Sequence, residues 1–196
     1  MGIVIRNGEV VTASERFVAD LRLDGGTITA MGTKLEPKAG DETIDAAGQF
    51  VLPGFIDPHV HMELGFMGTV SADDFEVGTA SGAAGGTTCI IDFCIPAPGE
   101  SMLAALDSWR RKAAKAVCDY SFHMAITSWG DDSADEMRAV VQEHGITSFK
   151  VFMAYKGAIM VDDAALYSVM REAAKLGAVV TVHAEIGHAV WHLQRE

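Results

Sequence analysis

The sequence predicts an α/β protein: the first five strand–helix units of a parallel (β/α)8 barrel, preceded by a small all-β module. Three features carry that prediction. From residue 51 onward, short runs rich in Val, Ile, Phe and Thr alternate with stretches whose apolar residues recur at helical spacing. The joins between them are short, as in sheets whose parallel strands are linked by helices. An open doubly wound sheet would fit the alternation equally well. However, its glycine-rich phosphate fingerprint is missing, because Gly82, Gly85 and Gly86 precede a strand instead of opening a helix. The barrel is favoured.

The elements follow in order. Residues 1–50 read as all-β. Residues 3–5, a turn at Asn7-Gly8 and residues 10–12 predict one hairpin, and residues 17–23, Asp24-Gly25-Gly26 and residues 27–31 predict a second. Residues 36–41 form a polar connection. Phe50, Val51 and Leu52, then Phe55 and Ile56, lead into a buried strand ending in His59-Val60-His61. Ser71 to Asp74 resembles a capping box opening a helix of small residues that closes near Gly85-Gly86. Residues 87–95 form a strand stopped by Pro96 and Pro98, and residues 101–117 a helix with Leu103, Leu106, Trp109 and Ala113 in helical phase. A third strand covers residues 120–129. Ser133 to Glu136 predicts a capping box for a helix that Gly145 ends. Residues 148–155 are the fourth strand, and Asp162 caps a helix ended by Gly177. Residues 179–185 are the fifth strand, with a last helix from about Ile186.

Composition narrows the function. At 196 residues, 49% hydrophobic and 21% charged, the chain has an ordinary globular make-up. A net charge of −12 excludes a nucleic-acid binder, which needs clustered Lys and Arg to neutralise phosphates. No apolar run approaches the ~20 residues of a membrane span, and no basic segment precedes an apolar one at the start. Cys89, Cys94 and Cys118 show no metal-type spacing and are expected as reduced thiols of a cytoplasmic protein.

The chemistry concentrates at strand ends. Alternation along a strand places His59 and His61 on one side with Val60 opposite, an arrangement suited to a divalent metal. Barrel active sites lie at the carboxyl ends of strands, where His59, His61, Tyr155 and His183 fall. Lys150 sits inside the apolar run 149–153, where an ammonium is costly. Burial lowers a lysine's pKa, and a neutral amine can add carbon dioxide to give an anionic carbamate whose two oxygens can bridge two metals. Singly, the histidines fit a hydrogen-bonded core pair and Lys150 a buried ion pair; together with His183 they favour a metal site. Asp57 and Asp92 are expected as structural acceptors. His123 and His144 have no spacing argument, and His188 and His192 are expected at the surface.

Five blocks then carry a resemblance. P-G-F-I-D-P-H-V-H, T-V-S-A-D-D-F, G-G-T-T-C-I-I-D-F, F-K-V-F-M-A-Y-K-G and V-H-A-E run in that order from about residue 52 to 185. They resemble the dihydropyrimidinase/D-hydantoinase branch of the cyclic amidohydrolases. The resemblance implies a metal-dependent hydrolase barrel, of which residues 51–196 are the N-terminal part, beside a β-sandwich to which residues 1–50 contribute. It implies two divalent metal ions, zinc by family habit, bridged by carboxylated Lys150, with His59 and His61 on one and His183 on the other. It makes Tyr155 the group that hydrogen-bonds the substrate carbonyl and its oxyanion. The implied reaction is hydrolysis of the cyclic amide of dihydropyrimidines or 5-substituted hydantoins to N-carbamoyl amino acids, by hydroxide held between the metals. A small cyclic ureide is then the substrate and a homo-oligomer, tetramer or dimer, the assembly.

Leu64, Phe66 and Met67 on one loop, and Phe152, Tyr155, Ile159 and Met160 around another, are expected at the barrel mouth against the ring substituent. Their apolar character favours alkyl or aryl groups over a carboxylate-bearing ring such as dihydroorotate, with Lys156 expected to point away. Ile186 departs from the asparagine common in the family. Further metal ligands and a catalytic aspartate are expected beyond residue 196, so the chain reads as an incomplete record of a longer protein. Two neighbouring readings share much of the pattern. A dihydroorotase or allantoinase has the same H-x-H, Lys and His, but residues 69–75 and F-M-A-Y-K-G are more similar to the dihydropyrimidinase branch. A non-catalytic scaffold of the collapsin response mediator type loses metal ligands, whereas all four residues are present here.

Overall fold

The computed structural model describes residues 2–196. It divides into two compact units, Met1–Gly54 and Phe55–Glu196.

The first unit is a five-stranded sheet of β1 (Ile3–Val11), β2 (Arg16–Asp24), β3 (Thr27–Gly32), β4 (Glu42–Asp45) and β5 (Phe50–Val51), in the order β3-β2-β1-β4 with β5 also on β1. The hairpin expected at Asp24-Gly25-Gly26 joins β2 to β3, its two glycines both at positive φ. The turn expected at Asn7-Gly8 does not form. Instead β1 runs straight through it with a bulge, its register against β2 shifting between Ile5 and Gly8. Asn7 takes the left-handed conformation (φ 62°) that a turn would also require. It is held there by distant carboxylates: its N–H donates to Asp20 at 2.8 Å and its side-chain amide to Asp45 at 2.9 Å. Val10, Ala19 and Leu21 form the small apolar core. Beside it, buried Arg22 donates to Asp24 and Asp41 at 2.9 and 2.8 Å.

The second unit contains β6 (Phe55–Val60), β7 (Gly65–Phe66), β8 (Thr69–Val70), α1 (Phe75–Ala84), β9 (Thr87–Cys94), α2 (Met102–Ala113), β10 (Asp119–Ala125), α3 (Ser133–Gln142), β11 (Ser148–Phe152), α4 (Asp163–Leu176), β12 (Val179–His183) and α5 (Gly187–Leu193). Strands β6, β9, β10, β11 and β12 lie side by side in chain order and every pairing is parallel. This is the strand–helix alternation the sequence predicts. One face packs against the helices through Phe75, Ile90, Leu106, Met124, Phe149, Val151 and Val169.

Four local expectations are corrected. The strand leading to the histidines is neither long nor buried. Phe50 and Val51 pair with β1 in the other unit, and β6 is an edge strand with Phe55 and Ile56 54% and 63% exposed. The fourth strand stops at Phe152, leaving Tyr155 in the following turn. The capping box of α3 does not close either, since Asp132 is its N-cap and makes no side-chain bond. Glu136 turns instead to the start of α2, bonding the Ser101 hydroxyl and accepting the Met102 N–H at 3.0 Å. The box expected at Ser71 to Asp74 does not form in that way either: Asp74 is itself the N-cap of α1, accepting from Val77 at 2.8 Å, while the Ser71 hydroxyl accepts the Leu64 N–H. The cap of α4 is as expected, Asp162 accepting from Ala165 at 2.8 Å and Gly177 closing the helix in the left-handed conformation. Among the described residues no helix is long and apolar enough to cross a membrane.

The carboxylates of the first unit set its acid sensitivity. The Asn7 and Leu35 N–H groups hold Asp20 below the usual carboxylate range, and the Lys38 N–H and Arg22 do the same for Asp41. Groups depressed in the folded state add stability above the ordinary carboxylate pKa of about 4, and that stability is lost as pH falls through the lowered values. An acid titration followed by circular dichroism should therefore show Asp20→Asn less stable than the parent at pH 7 and less pH-dependent below pH ~4.

Candidate metal centre

β6 ends at His59-Val60-His61. Val60 packs toward the helix-side core, so the two imidazoles project from the opposite face. Their ring centroids are 5.4 Å apart and nearly perpendicular. Phe93, from the neighbouring β9, lies against both, at 4.6 Å from His59 and 4.9 Å from His61. The same phenyl ring is 5.3 Å from the Lys150 Nζ, which is 5.4 Å from the ring of Phe152. Phe152 in turn lies 6.1 Å from His183, and the Tyr155 ring 5.2 Å from His183. Two phenyl rings thus connect all four expected metal-binding residues and the tyrosine across five parallel strands.

The electrostatics suit cation binding. Lys150 is only 7% exposed, and burial pulls its pKa down, with no acidic neighbour among the described residues to oppose it. His61 is also shifted down, first by burial and then by its neighbours His59 and Lys150, which favours the neutral, ligating imidazole. His183 Nε2 lies 3.0 Å from Glu185 Oε2, so a proton on Nε2 leaves Nδ1 as the free donor. Among the described residues, no three His, Cys, Asp or Glu side chains converge as a metal-holding group. The donors present are a pair of imidazoles, a third imidazole and, between them along the sheet, a buried amine without a counter-charge. The nitrogen donors in that set fit a divalent metal.

The other candidates sort clearly. His123 is a satisfied core histidine, its ring nitrogens 2.9 Å from the Pro58 carbonyl and 2.6 Å from the Ser148 hydroxyl. Asp57 accepts the His59 N–H at 3.1 Å. His144 meets Arg110, and His192 meets Glu196. Asp92 accepts from Met62 N–H and Trp109 Nε1, and burial pushes its carboxyl up to about 7. Of the expected mouth residues, Phe66, Phe152 and Ile159 gather in one cluster, with Ile159 inside the packing. Tyr155 stands beside Phe66 at 5.2 Å, its backbone in the left-handed region (φ 62°). Leu64 is set apart, packing toward the helix-side core. Lys156 does not turn away: it lines a cleft of about 310 Å³ with Phe66, Tyr155 and Trp191, its Nζ 3.0 Å from His188 Nδ1. A larger cleft, near Met160, Asp162 and Ile186, includes neither the histidine pair nor Lys150.

Phe93 is the site residue that reading the sequence for chemistry passes over. Its signal is the alternation in β9, which puts Ile90, Asp92 and Cys94 toward the helices and Phe93 on the face of the histidines.

The amidohydrolase family model matches residues 50–194, and the chain belongs to that family. Within it, the chain is 46% identical to the dihydropyrimidinase of Dictyostelium discoideum over 195 residues, 99% of this chain and 39% of that protein. It is 48% identical to the D-hydantoinase of Geobacillus stearothermophilus, over 98% of this chain and 41% of that protein. The crystal structure of dihydropyrimidinase from Brevibacillus agri NCHU1002 superposes with a TM-score of 0.96 at 46% identity, covering 100% of this chain and 42% of that one. The chain therefore spans about two fifths of the length of these relatives.

Because Phe93 is buried and lies against His59, His61, His123 and the Lys150 amine, Phe93→Ala should cost about 3–5 kcal/mol, the usual penalty for emptying a phenylalanine site. Equilibrium denaturation of the two proteins measures it.

Proposed function

We propose that this chain supplies metal-binding residues of a hydrolase that opens the cyclic amide of dihydropyrimidines or 5-substituted hydantoins, giving N-carbamoyl amino acids. The observation that carries the reading is Lys150, buried without a counter-charge between Phe93 and Phe152 and flanked by His59, His61 and His183. The likeness to dihydropyrimidinase and D-hydantoinase supports it. On this reading residues 1–50 are part of a β-sandwich and residues 51–196 the first part of a (β/α)8 barrel, in a cytoplasmic homo-oligomer.

His59 and His61 would hold one divalent ion and His183 the other, with carboxylated Lys150 between them; zinc suits nitrogen and oxygen donors of this kind. When bound, the ions polarise the scissile carbonyl and make water acidic enough to attack at neutral pH. The protein's own groups do the rest. The neutral Lys150 amine would form a nitrogen–carbon bond to carbon dioxide and release one proton to solvent, leaving an anion for the two cations to neutralise. Tyr155 directs its phenol O–H to the carbonyl oxygen as that oxygen gains charge. Glu185 accepts the Nε2 proton of His183 and keeps the other nitrogen free. Phe66 and Phe152 give the ring substituent an apolar wall.

Two measurements on the full-length protein test this. Lys150→Ala should lose bound metal and activity together, with partial rescue by a short carboxylic acid, and Lys150→Arg should fail as well. A free Lys150 amine in the metal-loaded protein, read by native mass spectrometry, overturns the bridging role. In a substrate panel, 5-alkyl and 5-aryl hydantoins and dihydrouracil should exceed dihydroorotate in kcat/KM by roughly two orders of magnitude or more, because a carboxylate against an apolar wall costs several kcal/mol. Among the described residues Lys156 is the one cation lining the cleft beside Phe66 and Tyr155, and a panel won by dihydroorotate would assign it as the carboxylate partner instead.

A further inference from the structure

The turn that follows the histidine pair is gripped from behind. Regular pairing of β6 with β9 ends where Val60 stands opposite Asp92, so the next N–H groups have no ladder partner. Asp92 supplies one. It is 1% exposed, on the helix side of β9, and its Oδ2 accepts the Met62 N–H at 2.7 Å, one residue beyond His61. Its Oδ1 accepts the indole N–H of Trp109 on α2 at 3.2 Å. The same helix reaches the turn a second time through Lys112, whose Nζ sits 4.3 Å over the Trp109 ring and donates to the Glu63 carbonyl at 3.1 Å. Glu63 itself is left-handed (φ 48°), a conformation that non-glycine residues keep only when their surroundings impose it. Phe93, the next residue along β9, meets the imidazoles on the opposite face. One dipeptide, Asp92-Phe93, therefore fixes the histidine pair from both sides of the sheet.

We propose that Asp92 is a positioning residue for the metal pair: by holding the Met62 N–H it sets the direction in which His61 leaves the strand, and so the angle between His61 and His59. The proposal rests on the reading that His59 and His61 bind a divalent metal. Asp92 touches neither metal nor substrate and acts through the backbone.

The hydrogen-bond chemistry makes it testable. Two N–H donors point at Asp92, one at each oxygen. Asparagine offers one acceptor oxygen and would turn its amide N–H2 toward the other donor. Removing the indole donor with Trp109→Phe lets that single oxygen serve Met62. Zinc affinity is measured on the metal-stripped full-length protein by competition with a chromogenic chelator at pH 8, where the Asp92 carboxyl is ionised. Asp92→Asn should weaken zinc binding about 10–100-fold, the usual effect of losing a partner behind a metal ligand. Trp109→Phe alone should stay within about threefold of the parent, and the double variant should recover to that level while its melting temperature remains lowered. A merely structural Asp92 would lower melting temperature without this rescue of affinity.

Folded Asp92→Asn with unchanged zinc affinity, or a folded double variant as weak as Asp92→Asn, overturns the proposal. In the parent protein, hydrogen exchange should find the Met62 amide protected; free exchange there overturns it whether or not the variants fold. The control is His59→Ala/His61→Ala: if it binds zinc like the parent, the metal reading fails, whereas its loss beside an unaffected Asp92→Asn removes the positioning role alone.

Discussion

A buried amine with no counter-charge is the constraint around which the second unit is arranged. Lys150 lies on β11, one strand in from the β12 edge of the sheet, with aromatic faces on both sides and, among the described residues, no carboxylate to neutralise it. An ammonium there would be expensive, and the neutral amine is the state the surroundings favour. Phe93 and Phe152 create that environment, and the same rings bring His59, His61 and His183 alongside. The aromatic packing thus serves both groups at once: rings that cover the lysine also support the imidazoles.

Behind this surface, the helices pin the places where regular pairing fails. β6 is irregular around Pro58, which has no N–H to give to the ladder, and the chain beyond it turns through two left-handed residues, Glu63 and Met67. Asp92, Lys112 and Ser71 provide hydrogen bonds along this stretch, and Lys115 pairs with both Glu63 and Asp74. An edge strand that is mostly exposed can nevertheless carry two well-placed side chains, because its C-terminal end is held by groups buried elsewhere.

Much of this was legible in the sequence because it depended on local rules. The period-2 alternation that separates Val60 from its flanking histidines, the aspartate that opens α4, and the Asp24-Gly25-Gly26 hairpin need nothing beyond their own neighbourhood. Lys150 stood out because a charge within an apolar run has few stable states. What could not be read depended on distant partners. Asn7-Gly8 suits a turn and a bulge equally, and the choice was made by Asp20 and Asp45, 13 and 38 residues away. Glu136 has the right spacing to cap its own helix yet serves α2, 34 residues back. Leu64 and Phe66 looked equivalent in a loop, but the left-handed Glu63 and the short β7–β8 ribbon send them to different places.

The order of the parallel strands has a consequence for how such a chain assembles. Each of β9, β10, β11 and β12 pairs with the strand of its own sheet that precedes it in the chain, so none of these four must wait for a partner synthesised much later. Loop-closure cost stays small at every step, and a nascent chain can add one strand–helix unit at a time to an existing edge. The Glu136 contact sets the cadence, since the first turn of α2 gains its carboxylate cap only when α3 has emerged and docked. That unit is completed by its successor, so the order of synthesis is also the order in which the sheet can be built.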